Sequence, residues 1–414
     1  MISRYFPAFR YRNFRIFWVG QFFSLVGTWM QAAILPYLAY RLTGQPILLG
    51  AIGFATTIPM LLITLPGGVL IERLDKRRTV IALQIVLMLC AFLLAFLTLT
   101  HKIGIIHIIA ISFLVGSANA LEITARQSMF IDLVDKEALS NAIALNSLIF
   151  NAARVLGPSL AAPFLIFLQE NGEGWAFFAN GVSYLFVIGG LFLIRTRSKI
   201  DRSASQRGME AFKEGQKFIR TNPTIGLMIL LITIPGFFAF PFIQQIPVFA
   251  RDVFSVAGEA AGMGATRNSI LLTAQGVGAF IASILIAVLS TIKRKPLFLV
   301  IGQYIFSLSM IALSFVTGFS GGVIFMVFIG FGLVTQLIMS NTLIQLFTPD
   351  SLRGRVISTF LWAIQGVAPF GSLFIGWITQ NWGISIAVLV GGAVCLLGQT
   401  ALHLYRPGLI KIKA

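Results

Sequence analysis

The sequence predicts an all-α membrane protein with twelve transmembrane helices in two pseudo-symmetric six-helix bundles. Three observations carry this expectation. Hydrophobic residues make up 57% of the 414 residues and charged ones only 11%, where a soluble domain carries about 25% charged residues. Twelve apolar stretches each reach the roughly 20 residues that a helix needs to cross a hydrocarbon core. A polar, basic connector, "RTRSKIDRSASQRGMEAFKEGQKFIRTNP" (195–223), divides them six and six.

The stretches are 14–40, 47–71, 79–100, 103–125, 142–168 and 175–194, then 224–250, 268–292, 296–317, 322–346, 356–379 and 384–404. They give an N-terminal bundle over 1–194, the connector 195–223 and a C-terminal bundle over 224–414. The chain opens like a signal peptide, "MISRYFPAFRYRNFRIFWVG", but the apolar run continues to Tyr40. That is too long for a cleaved segment and reads as a spanning helix.

A net charge of +17 would suggest nucleic acid in a soluble protein. Here the basic residues fall between apolar runs, so they read as topology signals, and no nucleic-acid partner is expected. With the N-terminus cytoplasmic, 26 of the 31 basic residues lie on the cytoplasmic side. Arg41, Lys102, Arg251 and Arg267 face outward, and Arg154 lies within a span. Both termini are then cytoplasmic, and the expected location is the inner membrane of a bacterium.

The halves echo each other. "DLVDKEALSNAIALNS" (132–147) aligns with "QLFTPDSLRGRVISTF" (345–360) at an offset of 213, in the loop between spans four and five and again between ten and eleven. Internal duplication of a six-helix unit marks transporters, which hold substrate near the midplane. Cys90 and Cys395 sit inside apolar runs, and His101, His107 and His403 are scattered. No metal-ligand spacing, phosphate loop or paired-carboxylate site is visible, so neither a cofactor nor an enzyme is expected.

"NAARVLGPSL" (151–160) carries the one ionisable side chain between Ala142 and Leu168, Arg154. It lies about 18 Å deep at ~1.5 Å per residue. An arginine there costs about 2.5–3.5 kcal/mol on insertion scales, so it should face protein or water. Ser147, Asn151, Arg154, Pro158 and Ala161 share one helix face. Similar stripes are Gln21, Ser24, Thr28 and Gln31 in span one, and Ser112, Asn119, Glu122 and Arg126 in span four. Span eleven carries Ser358, Trp362, Gln365, Pro369 and Ser372, and span ten adds Gln336. Singly, such stripes read as helix glue; together they favour a wet cavity. Glu122 has two candidate partners, Arg154 at similar depth and Arg126 four residues along the same helix. Span seven, "TIPGFFAFPFIQQIPVFA", holds Pro235, Gly236, Pro241 and Pro247. It reads either as a broken helix presenting Gln244 and Gln245 to a substrate or as a kinked packing helix.

"GGVLIERLDKRR" (67–78) resembles the loop motif between spans two and three of the major facilitator superfamily. Gly68, Leu70, Arg73 and Arg77 match it, Glu72 replaces the acid, and Asp75 replaces the second glycine. The resemblance implies that Glu72 and Arg73 latch the cytoplasmic side. "ARVLGPSLAA" (153–162) is similar to the fifth-span motif of facilitator antiporters, with Gly157 and Pro158 matching and alanines replacing glycines. That pattern goes with exporters. The fourth-span arginine motif of drug/proton antiporters is missing from "LVGSANAL" (114–121), which leaves Glu122, Arg126 and Arg154 to substitute. "RNFRIFWVGQFFSLVGTWMQ", "LTGQPILLGAIGF", "NAIALNSLIFNAARVLGP" and "LRGRVISTFLWAIQGVAPFGSLFIGW" resemble the enterobactin-exporter-like branch, whose members move catecholate siderophores or macrolides. The expected function is therefore a monomeric secondary active exporter of a siderophore-like organic molecule, driven by proton antiport, with a multidrug or macrolide efflux pump as the alternative. From a different class, a membrane sensor or intramembrane enzyme is the remaining alternative.

Overall fold

The computed structural model describes residues 6–72, 74–194, 208–256, 258–259, 262–289, 295–349 and 352–405. Arg73, connector residues 195–207, the stretch 290–294 and residues 406–414 lie outside the described residues, and with them many of the basic side chains assigned to one face. Among the described residues no strand is present, and twelve helices are long and apolar enough to cross a membrane.

The spans are Arg12–Thr43, Pro46–Glu72, Lys76–Leu99, Ile105–Leu133, Lys136–Phe167 and Gly172–Leu193 in the first half. The second half has Pro223–Val253, Met263–Val288, Lys295–Ser314, Phe319–Phe347, Arg353–Trp382 and Ile384–Tyr405. In unit 1 the start of span 1 defines an N-terminal side and its end a far side.

Two boundaries differ from the sequence expectation for a physical reason. Span 4 runs on to Leu133 and span 5 begins at Lys136. The added turns carry charge, but Asp132 pairs with Lys76 at 3.7 Å, and the last turns of span 4 are buried at Met129 and Phe130. Helix therefore continues where apolarity alone would end it. The connector likewise holds a helix, Gly208–Thr221. Its Phe218 and Ile219 pack on a core of Ile225, Met228, Leu343 and Val356, and Glu214 pairs with Arg355.

Span 7 is broken. An α-helix ends at Phe238, a 3-10 segment covers Phe240–Gln245, and a π turn follows over Phe249–Val253. Pro241 and Pro247 lack the N–H that continuous α-helix needs.

The chain divides into two compact units. Unit 1 comprises Met1–Leu42, Ala55–Ser205 and Ala260–Ser269; unit 2 comprises Thr43–Phe54, Gln206–Glu259 and Ile270–Ala414. Each thus takes one short segment from the other half of the sequence. In unit 1, Asn268 Nδ2 donates to the Ala33 carbonyl at 2.9 Å. In unit 2, Gln245 Nε2 donates to the Pro46 carbonyl at 3.1 Å, and a Cβ on Gly50 would lie 2.4 Å from the Ser372 carbonyl oxygen. Helices approach that closely only where the side chain is a hydrogen atom.

At the N-terminal side of unit 1, the Tyr11 hydroxyl donates to Asp135 at 2.8 Å, and this bond raises the phenol's pKa. The Ala8 N–H donates to Asn141. Together they pin the chain's entry into span 1.

Candidate functional site

In unit 1 the site is built on spans 1, 3, 4, 5 and 6. Arg154 is half-buried on span 5, and its guanidinium carbon lies 5.5 Å from the centre of the Trp29 ring. Trp29 is held edge-on by Phe150 at 5.4 Å. Arg154 Nε is buried without a hydrogen-bond partner among the described residues. A cation over an aromatic face gains roughly 0.5–2 kcal/mol, but that contact supplies no acceptor for the Nε–H. Gly157 brings span 5 against span 1: a Cβ there would sit 2.5 Å from Trp29 Cβ. Pro158, one residue on, is buried, and the helix continues through it to Phe167.

Of the two pairings open to Glu122, the structure forms the one with Arg126. Arg126 Nε donates to Glu122 Oε1 at 2.9 Å, and Gln84 Nε2 donates to the same oxygen at 3.0 Å. Arg126 Nη1 donates to Asn146 Oδ1 at 3.1 Å. Glu122 is 4% exposed and Arg126 6%, so this charged pair is out of water and its hydrogen bonds matter. Asn119, a turn earlier, is half-buried.

On span 1, Gln31 accepts from Asn180 Nδ2 at 2.8 Å. Thr28 bonds the Ser24 carbonyl at 2.8 Å and lies 3.1 Å from the Tyr184 hydroxyl. Both thereby tie span 1 to span 6. Asn151 turns back to the Ser147 carbonyl of its own helix.

In unit 2, Gln245 is 1% exposed and its Oε1 has no partner, while Gln336 is fully buried with neither amide atom bonded among the described residues. Gln244 is half-buried beside Gly53. Trp362 is 38% exposed, and Gln365 is half-buried. Next to the break in span 7, Phe237, Phe238 and Phe374 form an aromatic cluster with centroids 4.7 to 5.7 Å apart.

At the loop motif, Arg77 Nε donates to the Leu191 carbonyl at 2.7 Å and Nη2 to that of Phe192 at 3.1 Å. It caps the last turn of span 6, where helix carbonyls lack intrahelical partners. Asp75 caps span 3 through the Arg78 N–H. Arg73, and the side-chain surroundings of Gly68 and Glu72, lie outside the described residues.

Sequence reading missed Trp29, Gln84, Asn146, Asn180 and Tyr184. Gln84 and Asn180 had a usable signal, each being a lone amide in an otherwise apolar run. Trp29 had none, since it belongs to no polar stripe. Among the described residues no group of three His, Cys, Asp or Glu converges on a metal position.

This arrangement, with an underused cation in mid-span, a buried charged pair and a broken helix, suits binding and movement of an organic solute. The comparisons agree. The model of the transmembrane secretion effector family matches residues 3–413. The chain is 23% identical over 394 residues to the Staphyloferrin A transporter of Staphylococcus aureus (strain NCTC 8325 / PS 47), covering 92% of this chain and 94% of that one. It is 19% identical to the Multidrug efflux pump Tap of Mycolicibacterium fortuitum, covering 92% of each. A bacterial homolog of the human lysosomal transporter Spinster, in an inward-facing, unoccupied conformation, superposes with a TM-score of 0.72 at 14% identity, covering 97% of this chain and 98% of that one. Fold and family mark a multi-pass bacterial membrane transporter of small molecules and not a catalyst. The chain belongs to the transmembrane secretion effector family of the major facilitator superfamily.

Proposed function

We propose that the chain exports a bulky organic molecule bearing an anionic or phenolic group, siderophore-like in kind, across the bacterial inner membrane in exchange for protons. Arg154 carries this reading. Its buried Nε lacks an acceptor among the described residues, and an anionic or phenolic oxygen supplies one through a charge-assisted hydrogen bond. The family's description as a secretion effector supports the outward direction. The resemblance to the enterobactin-exporter-like branch and the match to a staphyloferrin A transporter support the cargo class.

In this scheme the N-terminal side is cytoplasmic, as the Lys and Arg distribution implies, and the chain acts as a monomer. Substrate meets Arg154, Asn151, Asn119, Gln31 and Thr28 from the first half, and Gln244, Gln245, Gln336, Trp362 and Gln365 from the second. Glu122 takes the proton, and Arg126 changes partners as it does. Glu72, Arg73 and Arg77, with Gly68, latch the cytoplasmic side, while Gly157 and Pro158 let span 5 pivot on span 1. The halves 1–194 and 224–414 exchange access about the connector 195–223.

A second reading, a multidrug or macrolide pump, is favoured by the Phe237, Phe238 and Phe374 cluster and by the match to a multidrug pump. Metabolite profiling of culture medium with and without the gene, at low and high iron, separates the two. The first reading expects a catecholate or hydroxamate retained inside knockout cells at low iron. Unchanged medium together with new sensitivity to unrelated drugs replaces it with the second.

A further inference from the structure

The far-side end of unit 1 contains a cavity of about 500 Å³, counted with the solvent at its mouth. Tyr37 and Arg41 line it from the end of span 1, Leu165 from the last turn of span 5, and Glu170 and Glu173 from the entry to span 6. Gly262, just before span 8, closes another wall. None of the transport roles above uses it.

Its charges do not balance. Glu173 is 2% exposed, and its Oε1 lies 3.3 Å from Arg41 Nε. Its Oε2 is buried with no hydrogen-bond partner among the described residues. Glu170 is exposed at the same cavity. The lining holds two carboxylates and one guanidinium, which leaves one negative charge over. A buried carboxylate oxygen without a partner is costly unless something neutralises it. The remaining lining offers oxygen: the Tyr37 phenol, and Leu165 in a final helical turn, where carbonyls lack intrahelical donors.

Hard oxygen donors suit hard cations. The absence of three converging acidic or histidine ligands among the described residues argues for a single charge. We propose that this cavity binds one small monovalent cation, an alkali ion or a proton, at Glu173 Oε2 and Glu170.

Occupancy has a structural consequence. The segment carrying Gly262 is fastened to span 1 beside the cavity: Asn268 donates to the Ala33 carbonyl, and a Cβ on Gly264 would lie 2.8 Å from the Tyr37 hydroxyl oxygen. If the segment lifts, the site loses a wall. The cation therefore binds the closed arrangement better and stabilises it. The site does not depend on which organic molecule is carried.

The test uses the full chain purified in detergent, with thermal unfolding followed at pH 8 and constant ionic strength. Replacing N-methylglucamine chloride by NaCl or KCl is expected to raise the midpoint saturably, by about 2–4 °C. Glu173→Gln and Glu170→Gln each remove the rise, and Glu137→Gln, at an exposed carboxylate on span 5, keeps it. A rise on acidification to pH 5.5 in N-methylglucamine, lost in Glu173→Gln, names the proton as the occupant. No rise with Na⁺, K⁺ or acid overturns the proposal, as does a rise that survives in Glu173→Gln. Should Glu173→Gln fail to fold, Glu170→Gln, at an exposed position, decides by the same criterion.

Discussion

Spans 5 and 11 carry stripes with identical spacing. Ser147, Asn151, Arg154, Pro158 and Ala161 step by four, three, four and three, and so do Ser358, Trp362, Gln365, Pro369 and Ser372. Exposure falls along both in the same direction: Ser147 and Ser358 are exposed, Arg154 and Gln365 half-buried, and Pro158, Ala161, Pro369 and Ser372 buried. The third position separates them, a permanent cation in one and a neutral amide in the other. The buried pairs differ likewise. Unit 1 holds Glu122 and Arg126 with amide partners, whereas unit 2 buries the pairs Ser307–Gln399 and Gln303–His403. The two spans share a spacing, and among the described residues the buried Glu–Arg pair lies in unit 1, while unit 2 keeps its Glu214–Arg355 pair at more exposed positions.

Making the third positions alike is expected to have the largest effect. Arg154→Gln should lower export at least about 30-fold at unchanged membrane abundance, the equivalent of roughly 2–3 kcal/mol for a lost charge-assisted hydrogen bond. Glu122→Gln comes next. It keeps an acceptor for Gln84 but leaves Arg126 without a carboxylate, so the dependence of export on the pH gradient should flatten and transport should fall about 10-fold. Gly157→Val forces span 5 off Trp29 and should lower the thermal unfolding midpoint by several degrees through overpacking of about 1–3 kcal/mol. Gln365→Ala removes only a neutral, half-buried amide, and about a 3-fold loss of export is expected.

Much of this was legible before the structure. Twelve spans and the break in the seventh follow from apolar length and proline placement. Partner choice was not. Depth along a helix said that Glu122 could reach Arg154, but depth does not fix how span 4 is rotated: Glu122 meets Gln84 of span 3 and its own i+4 neighbour Arg126. Trp29 escaped notice because an aromatic residue in an apolar span looks like any other. The helix Gly208–Thr221 was read only as a polar connector because its charge outweighed its Phe218 and Ile219. The exchange of 43–54 and 260–269 between units rests on close packing such as that of Gly50 on Ser372, which no local pattern announces.

The central claim is that Arg154 borders water and not acyl chains. The most direct measurement places a single cysteine there, Arg154→Cys in a Cys90→Ala, Cys395→Ala background, and treats inside-out vesicles with a membrane-impermeant thiol reagent. Leu160→Cys, at a 48% exposed apolar position on the same span, serves as the lipid-facing reference. Rapid labelling at 154 with none at 160 is the predicted result. A cysteine at 154 as inert as the one at 160 would contradict the account.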